Sequence, residues 1–213
     1  VYGQGWGFAL EKVASDNVME VKAEKVMEST RKRIGLSEIT MARELMKEFE
    51  MNYGERGVER VVEVFRKSLN EIIDNSQIQT LPGALDFLID LKNKNQYSGI
   101  VTGNSSAYGK KVLDKAGLSP YLDIFAFSDN LKTKPEIAQR AVDLARIKNF
   151  RYDFIVSIGD NKVDIDGGKA IGAYTVGVLT GNNNFEQLSG ACADIVLENL
   201  TQYSRIYSNF GLR

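Results

Sequence analysis

At Thr80 the chain changes its periodicity, and that change limits the fold more than any other feature of the sequence. Downstream, short apolar runs at residues 97–102, 122–127, 154–158, 174–179 and 193–197 are separated by segments of helical spacing at about 84–94, 107–116 and 135–147. Runs as apolar as these are tolerated where a strand is buried on both faces, and strands alternating with helices pack as a parallel sheet covered on both sides. Residues 79–213 are therefore expected to form a Rossmann-like α/β domain. Ligands of such sheets gather at the carboxyl ends of the strands. Those ends are Thr102, Ser128-Asp129 and Asp160.

Upstream, residues 6–76 show apolar positions at helical spacing, as in Phe8, Leu10 and Val13 or in Val58, Val61, Val62, Phe65, Leu69 and Ile72. Glycines and capping residues interrupt the pattern at Ser15-Asp16-Asn17, Ile34-Gly35-Leu36-Ser37 and Asn52-Tyr53-Gly54. Residues 1–78 are expected to form a separate small bundle of about four helices.

Composition excludes several function classes. Formal charge is −1, from 27 basic and 28 acidic residues, so no global field draws the protein to nucleic acid or to a membrane surface. A phosphorylated partner would have to be caught locally. No apolar run approaches the ~20 residues of a membrane span, and the sequence from Val1 to Trp6 has no signal-peptide pattern. Cys192 is the single cysteine, which rules out an internal disulfide and favours a reducing cytoplasm. With no histidine, Ser-His-Asp and Cys-His catalysis are excluded, and proton transfer falls to carboxylates, lysines or tyrosines.

The chemistry concentrates at the run from Phe154 to Ile158, which ends at Gly159 and is followed by Asp160 and Asp164. Residues four apart share a helix face, so Asp164 would point back towards the strand tip that carries Asp160. Oxygen donors at that density suit Mg²⁺; the alternative is that both acids cap the helix that follows. Thr102-Gly103-Asn104 offers a hydroxyl, backbone N–H groups and an amide on a tight turn, suited to phosphate oxygens or simply to joining strand and helix. Lys132-Thr133-Lys134-Pro135 places two lysines just before a helix, either of them able to offset charge on a phosphoryl group if it turns inward.

Taken in order, Thr102-Gly103-Asn104 after an apolar strand, lysine near proline, and Gly159-Asp160-x-x-x-Asp164 resemble the haloacid dehalogenase (HAD) superfamily, in particular its phosphoglycolate-phosphatase-like members. Residues 178–188 resemble the loop after that family's last core strands, and the helical half resembles its α-helical cap. The resemblance implies a Mg²⁺-dependent phosphatase acting on a small phosphorylated metabolite, as a monomer or homodimer. It implies that Thr102, Gly103 and Asn104 bind phosphate, that Asp160 is a Mg²⁺ ligand, and that Asp164 is a second ligand or an anchor for the lysine. Lys132 fits the family's lysine-x-x-proline spacing and is favoured over Lys134, which directly precedes Pro135. Arg31, Lys32, Arg33 and Gly35, at a break between cap helices, are the candidates for facing substrate, with Arg33 foremost; a solvated basic helix end is the other reading.

The sequence departs from the family in one respect. The family's nucleophilic aspartate and the acid/base aspartate two residues later stand at the end of a first core strand, and nothing before Trp6 supplies them. The expectation is an N-terminally truncated chain, inactive alone, with a gap in its sheet between the strands that end at Thr102 and Ile158. A non-catalytic HAD-like binding or regulatory protein, a dehalogenase and a phosphosugar mutase are the alternatives.

Overall fold

The computed structural model describes residues 2–31, 33, 38–129, 131 and 133–211. The chain divides into two compact units, Val1–Ile78 and Gln79–Arg213.

The first unit contains helices α1 (Tyr2–Asp16), α2 (Ala23–Arg31), α3 (Glu38–Glu48) and α4 (Gly54–Asn75). Their apolar stripes converge on a core in which Trp6, Leu10, Met41, Leu45, Phe65, Leu69 and Ile73 are almost wholly buried. At its centre the Trp6 and Phe65 rings stack at 3.9 Å. Gly5 allows this approach, because a Cβ there would stand 3.1 Å from the Phe65 ring. Truncating Phe65 to alanine would cost about 3–5 kcal/mol.

The second unit runs α5 (Ala84–Asn93), β1 (Gly99–Thr102), α6 (Ser106–Lys115), β2 (Ile124–Phe127), α7 (Lys134–Ile147), β3 (Val156–Gly159), α8 (Lys162–Ala170), β4 (Tyr174–Val178), α9 (Phe185–Gly190), β5 (Ile195–Leu197) and α10 (Ser204–Phe210). All strand pairs are parallel. On one face, Val176, Val178 and Leu197 pack with Phe87 of α5 and Ile206 of α10. On the other, Ile165 of α8 meets Leu188 and Ala191, with Val196 against them. Helices therefore cover both faces, as expected for a Rossmann-like α/β sheet. Among the described residues no helix is long and apolar enough to cross a membrane.

β1, β2, β3 and β5 each begin two residues later than expected, and β4 ends one residue earlier. Tyr97 and Phe154 fall outside β1 and β3, where Tyr97 stacks on Phe150 at 3.9 Å and Phe154 meets Tyr174 edge-on at 6.1 Å. The short helices α9 and α10 go beyond the expected elements.

Pairing breaks where the gap is expected. β1 pairs with β2, β3 with β4, and β4 with β5, giving a two-stranded and a three-stranded sheet. Ser98 O accepts from Asp123 N and Ile124 N, so alternate residues along β1 face β2 while Gly99 and Val101 turn their N–H and C=O groups to the opposite edge. By the same alternation, Tyr174 N donating to Ile155 O leaves Val156 and Ile158 facing away from β4. Between the two halves, Val101, Ala138 and Ile158 help line a cavity of about 20 Å³.

Candidate active site

The tips of β1 and β3 and the first turns of α7 and α8 bring the candidate residues together. α7 begins with a capping box: Thr133 is its N-cap, Glu136 N donates to Thr133 Oγ1, and Glu136 Oε2 accepts from Thr133 N. That box places Lys134 in the first turn, immediately before Pro135. Its side chain turns inward. Nζ stands 2.7 Å from Asp164 Oδ1 and donates to Val101 O at 3.1 Å. Because Val101 O lies on the unpaired edge of β1, the ammonium occupies the space between the two half-sheets. Lys132 lies outside the described residues.

Asp164 has both structural and electrostatic work. Asn161 is the N-cap of α8, and Asp164 is the third helical residue, with Oδ2 accepting from Asn161 N at 3.2 Å. One carboxylate oxygen thus closes the cap and the other holds Lys134. The capping alternative and the lysine-anchor role coexist in this one side chain, which is 14% exposed. Gly159 makes room for it, since a Cβ there would stand 2.7 Å from Asp164 Cγ. Gly167 does the same for the lysine: a Cβ there would be 3.2 Å from Lys134 Cβ.

Asp160 follows β3 directly and differs from Asp164. Among the described residues its carboxylate has no hydrogen-bond or ion-pair partner. It is partly buried and faces Gly181, where a Cβ would overlap its Oδ2. A carboxylate held in a cradle that any side chain would fill, with its lone pairs uncommitted, suits a hard cation. Among the described residues no three acids, cysteines or histidines cluster as a metal cage. Mg²⁺ does not require one, because it keeps several waters and commonly takes one or two carboxylates together with substrate phosphate oxygens.

Thr102 ends β1, and its Oγ1 accepts from Asn104 N at 3.2 Å, closing the turn. A Cβ on Gly103 would meet nothing within 4 Å, so that backbone is open to a ligand. The Asn104 side chain is engaged, with Oδ1 accepting from Tyr108 OH at 2.7 Å, while Asn104 O accepts from Ser128 N at the tip of β2. Asp129 Oδ1 accepts from Ser106 N and caps the start of α6. In the helical unit, Arg33 is held by its neighbours: NH2 stands 2.7 Å from Glu48 Oε2, and NH1 donates to Ser29 O and Ser29 Oγ. Lys32 and Gly35 lie outside the described residues.

Sequence reasoning passed over the roles of Gly167, Gly181 and the Val101 carbonyl. A signal for Lys134 was present, since Thr133-x-x-Glu136 is a capping-box pattern that puts Lys134 in the first helical turn.

The chain is similar to several known proteins. A phosphoglycolate phosphatase of Synechococcus elongatus is 26% identical over 57% of this chain, and that match spans just over half of the relative, 56% of its length. A phosphoglycolate phosphatase of Aquifex aeolicus is 26% identical over 71% of this chain and 69% of its own. The fold matches that of a β-phosphoglucomutase from Clostridium difficile with a TM-score of 0.73 at 23% identity, over 99% of this chain and 91% of that one. Residues 10–178 match the model of the haloacid dehalogenase-like hydrolases, and the chain belongs to that family.

Proposed function

We propose that the protein is a Mg²⁺-dependent phosphatase that hydrolyses a small phosphate monoester of the phosphoglycolate type. The observation that carries this reading is the ammonium of Lys134, fixed between Asp164 Oδ1 and Val101 O at the strand tips that also present Thr102 and Asp160. The two curated relatives, both phosphoglycolate phosphatases, support the substrate class.

In this reading Thr102 Oγ1 and the Gly103 backbone hold phosphate oxygens, and Asp160 is the metal's protein ligand. Asp164 orients Lys134, whose charge offsets the negative charge that accumulates on the equatorial oxygens. Bound Mg²⁺ supplies electrostatic stabilisation of the transferring phosphoryl group. An aspartate oxygen of the Asp-x-Asp segment would attack phosphorus in line, the bond to the ester oxygen would break, and the second aspartate of that segment would give its proton to the leaving alkoxide. Water then attacks the aspartyl-phosphate, releasing inorganic phosphate and restoring the carboxylate. The attacking carboxylate is proposed to enter beside Lys134, at the strand tips that carry Thr102 and Asp160. The helical unit, residues 1–78, is proposed as the cap that selects substrate. The setting is proposed to be cytoplasmic, the protein a monomer or homodimer.

Two measurements test the reading. Calorimetry should show inorganic phosphate binding that requires Mg²⁺ and is lost in Asp160→Asn and Lys134→Met. With an Asp-x-Asp strand supplied, phosphate release from phosphoglycolate should stop on adding EDTA. Phosphate binding that survives both substitutions would sink the assignment. Metal-dependent binding with no turnover, once an Asp-x-Asp strand is supplied, would favour the non-catalytic alternative.

A further inference from the structure

The loop after β4 meets Asp160 at Gly181. A Cβ built there would overlap the Asp160 carboxylate and stand 2.6 Å from Asp160 Cβ, inside the 3.0 Å that real Cβ contacts keep. Rotating the carboxylate would not relieve this, because Asp160 Cβ moves only with its backbone. Gly181 is not among the positive-φ residues, so its backbone conformation is open to other residues and the need for glycine is one of space.

The loop is also pinned at both ends. Leu179 N donates to Leu197 O at 2.9 Å, tying the loop's start to β5. At its end, Asn184 and Gln187 form a reciprocal capping box with both bonds at 2.9 Å, and Leu188 is fully buried. A side chain at position 181 therefore pushes against a loop with little freedom to retreat, and the residue that yields is Asp160.

We propose that Gly181 is a positioning residue for Asp160: by lacking a side chain it lets the β4–α9 loop lie against the carboxylate and holds it in the direction from which it takes a divalent cation. This rests on Asp160 being the metal ligand. Outer groups that orient a ligand typically change metal affinity by 10–100-fold when altered.

The experiment compares the full chain with Gly181→Ala and Asp160→Asn. Calorimetric titration with Mg²⁺ should show an affinity at least ~10-fold weaker in Gly181→Ala, and binding lost in Asp160→Asn. The ¹³C carboxyl resonance of Asp160, assigned by its disappearance in Asp160→Asn, should shift in Gly181→Ala before any metal is added. An unmoved resonance with unchanged Mg²⁺ affinity overturns the proposal. If the parent protein shows no Asp160-dependent Mg²⁺ binding, the metal assignment fails, while the metal-free resonance still decides the role of Gly181. Should Gly181→Ala fold poorly, an Asp160→Gly background decides: relief of the instability is expected, and equal loss in both backgrounds overturns the proposal.

Discussion

Lys134 Nζ lies 2.7 Å from Asp164 Oδ1, and this ion pair joins the first turn of α7, which packs on β1 and β2, to the first turn of α8, which packs on β3 and β4. Together with the bond to Val101 O it spans the break in the sheet. Replacing Lys134 by methionine should therefore have two separable effects. With an Asp-x-Asp strand supplied, turnover should fall by about 10²–10³, the scale for removing one group that stabilises transition-state charge. Stability should fall by about 1–3 kcal/mol, because Asp164 and the Val101 carbonyl lose their partner. Lys132→Ala should leave both within a few-fold. Steady-state phosphate release and urea unfolding of the two variants decide which lysine does the work.

Asp160 and Asp164 should respond in opposite ways to the same change. Asp164 Oδ2 caps α8 and Oδ1 holds Lys134, so Asp164→Asn should lower the melting temperature and, with the Asp-x-Asp strand supplied, turnover as well. The Asp160 carboxylate has no partner among the described residues. Asp160→Asn should leave metal-free stability within about 0.5 kcal/mol while abolishing the stabilisation that added Mg²⁺ confers on the parent. Thermal melts with and without Mg²⁺ give both readouts. A large loss of metal-free stability in Asp160→Asn would mean that the carboxylate is structural.

The order of strands and helices was legible in the sequence because apolar runs and helical spacing are local signals. The positions of Thr102 and Asp160 at strand ends were legible because a glycine marks each end: Thr102 closes β1 just before Gly103, and Asp160 follows Gly159, the last residue of β3. The inward lysine was harder: Lys132 fits a spacing pattern, but the Thr133–Glu136 capping box and the space left by Gly167 are what turn Lys134 towards Asp164. Gly181 could not be read locally, since its neighbour Asp160 lies 21 positions earlier and the contact exists only once β4 pairs with β3. The short α9 rests on the Asn184–Gln187 box and on one buried leucine, too little periodicity to stand out.

Arg33 offers a test of the helical unit. Its guanidinium is shared among Glu48 and the backbone and side chain of Ser29, and Ser29 Oγ also donates to Glu48 at 2.5 Å. Arg33→Ala should therefore destabilise the protein by about 1 kcal/mol or more, since hydrogen bonds to charged groups are the stronger ones. With the Asp-x-Asp strand supplied, KM should stay within two- to three-fold. A rise in KM of ten-fold or more without loss of stability would instead show that Arg33 faces substrate, as its place at a helix break suggested.

The start of β5 is clamped to β4 through Asp194, and the clamp is charged. Asp194 Oδ2 accepts from Thr175 N at 2.7 Å and from Thr175 Oγ1 at 2.8 Å, and Thr175 is fully buried. The Thr175 backbone and hydroxyl donors, with a smaller contribution from Lys169, hold the carboxyl below its ordinary range. A carboxyl depressed in the folded state binds its proton more readily when unfolded. Its contribution to stability is therefore complete above the unfolded value, about 4, and is lost as pH falls through the folded value. Asp194→Asn should be less stable than the parent at pH 7, and the difference should narrow progressively below about pH 4 as the parent's carboxyl is protonated. Urea midpoints of both proteins from pH 7 down to about 3 measure this directly. A difference that stays constant over that range would show that the geometry of the clamp, and not its charge, is what stabilises the β4–β5 pair.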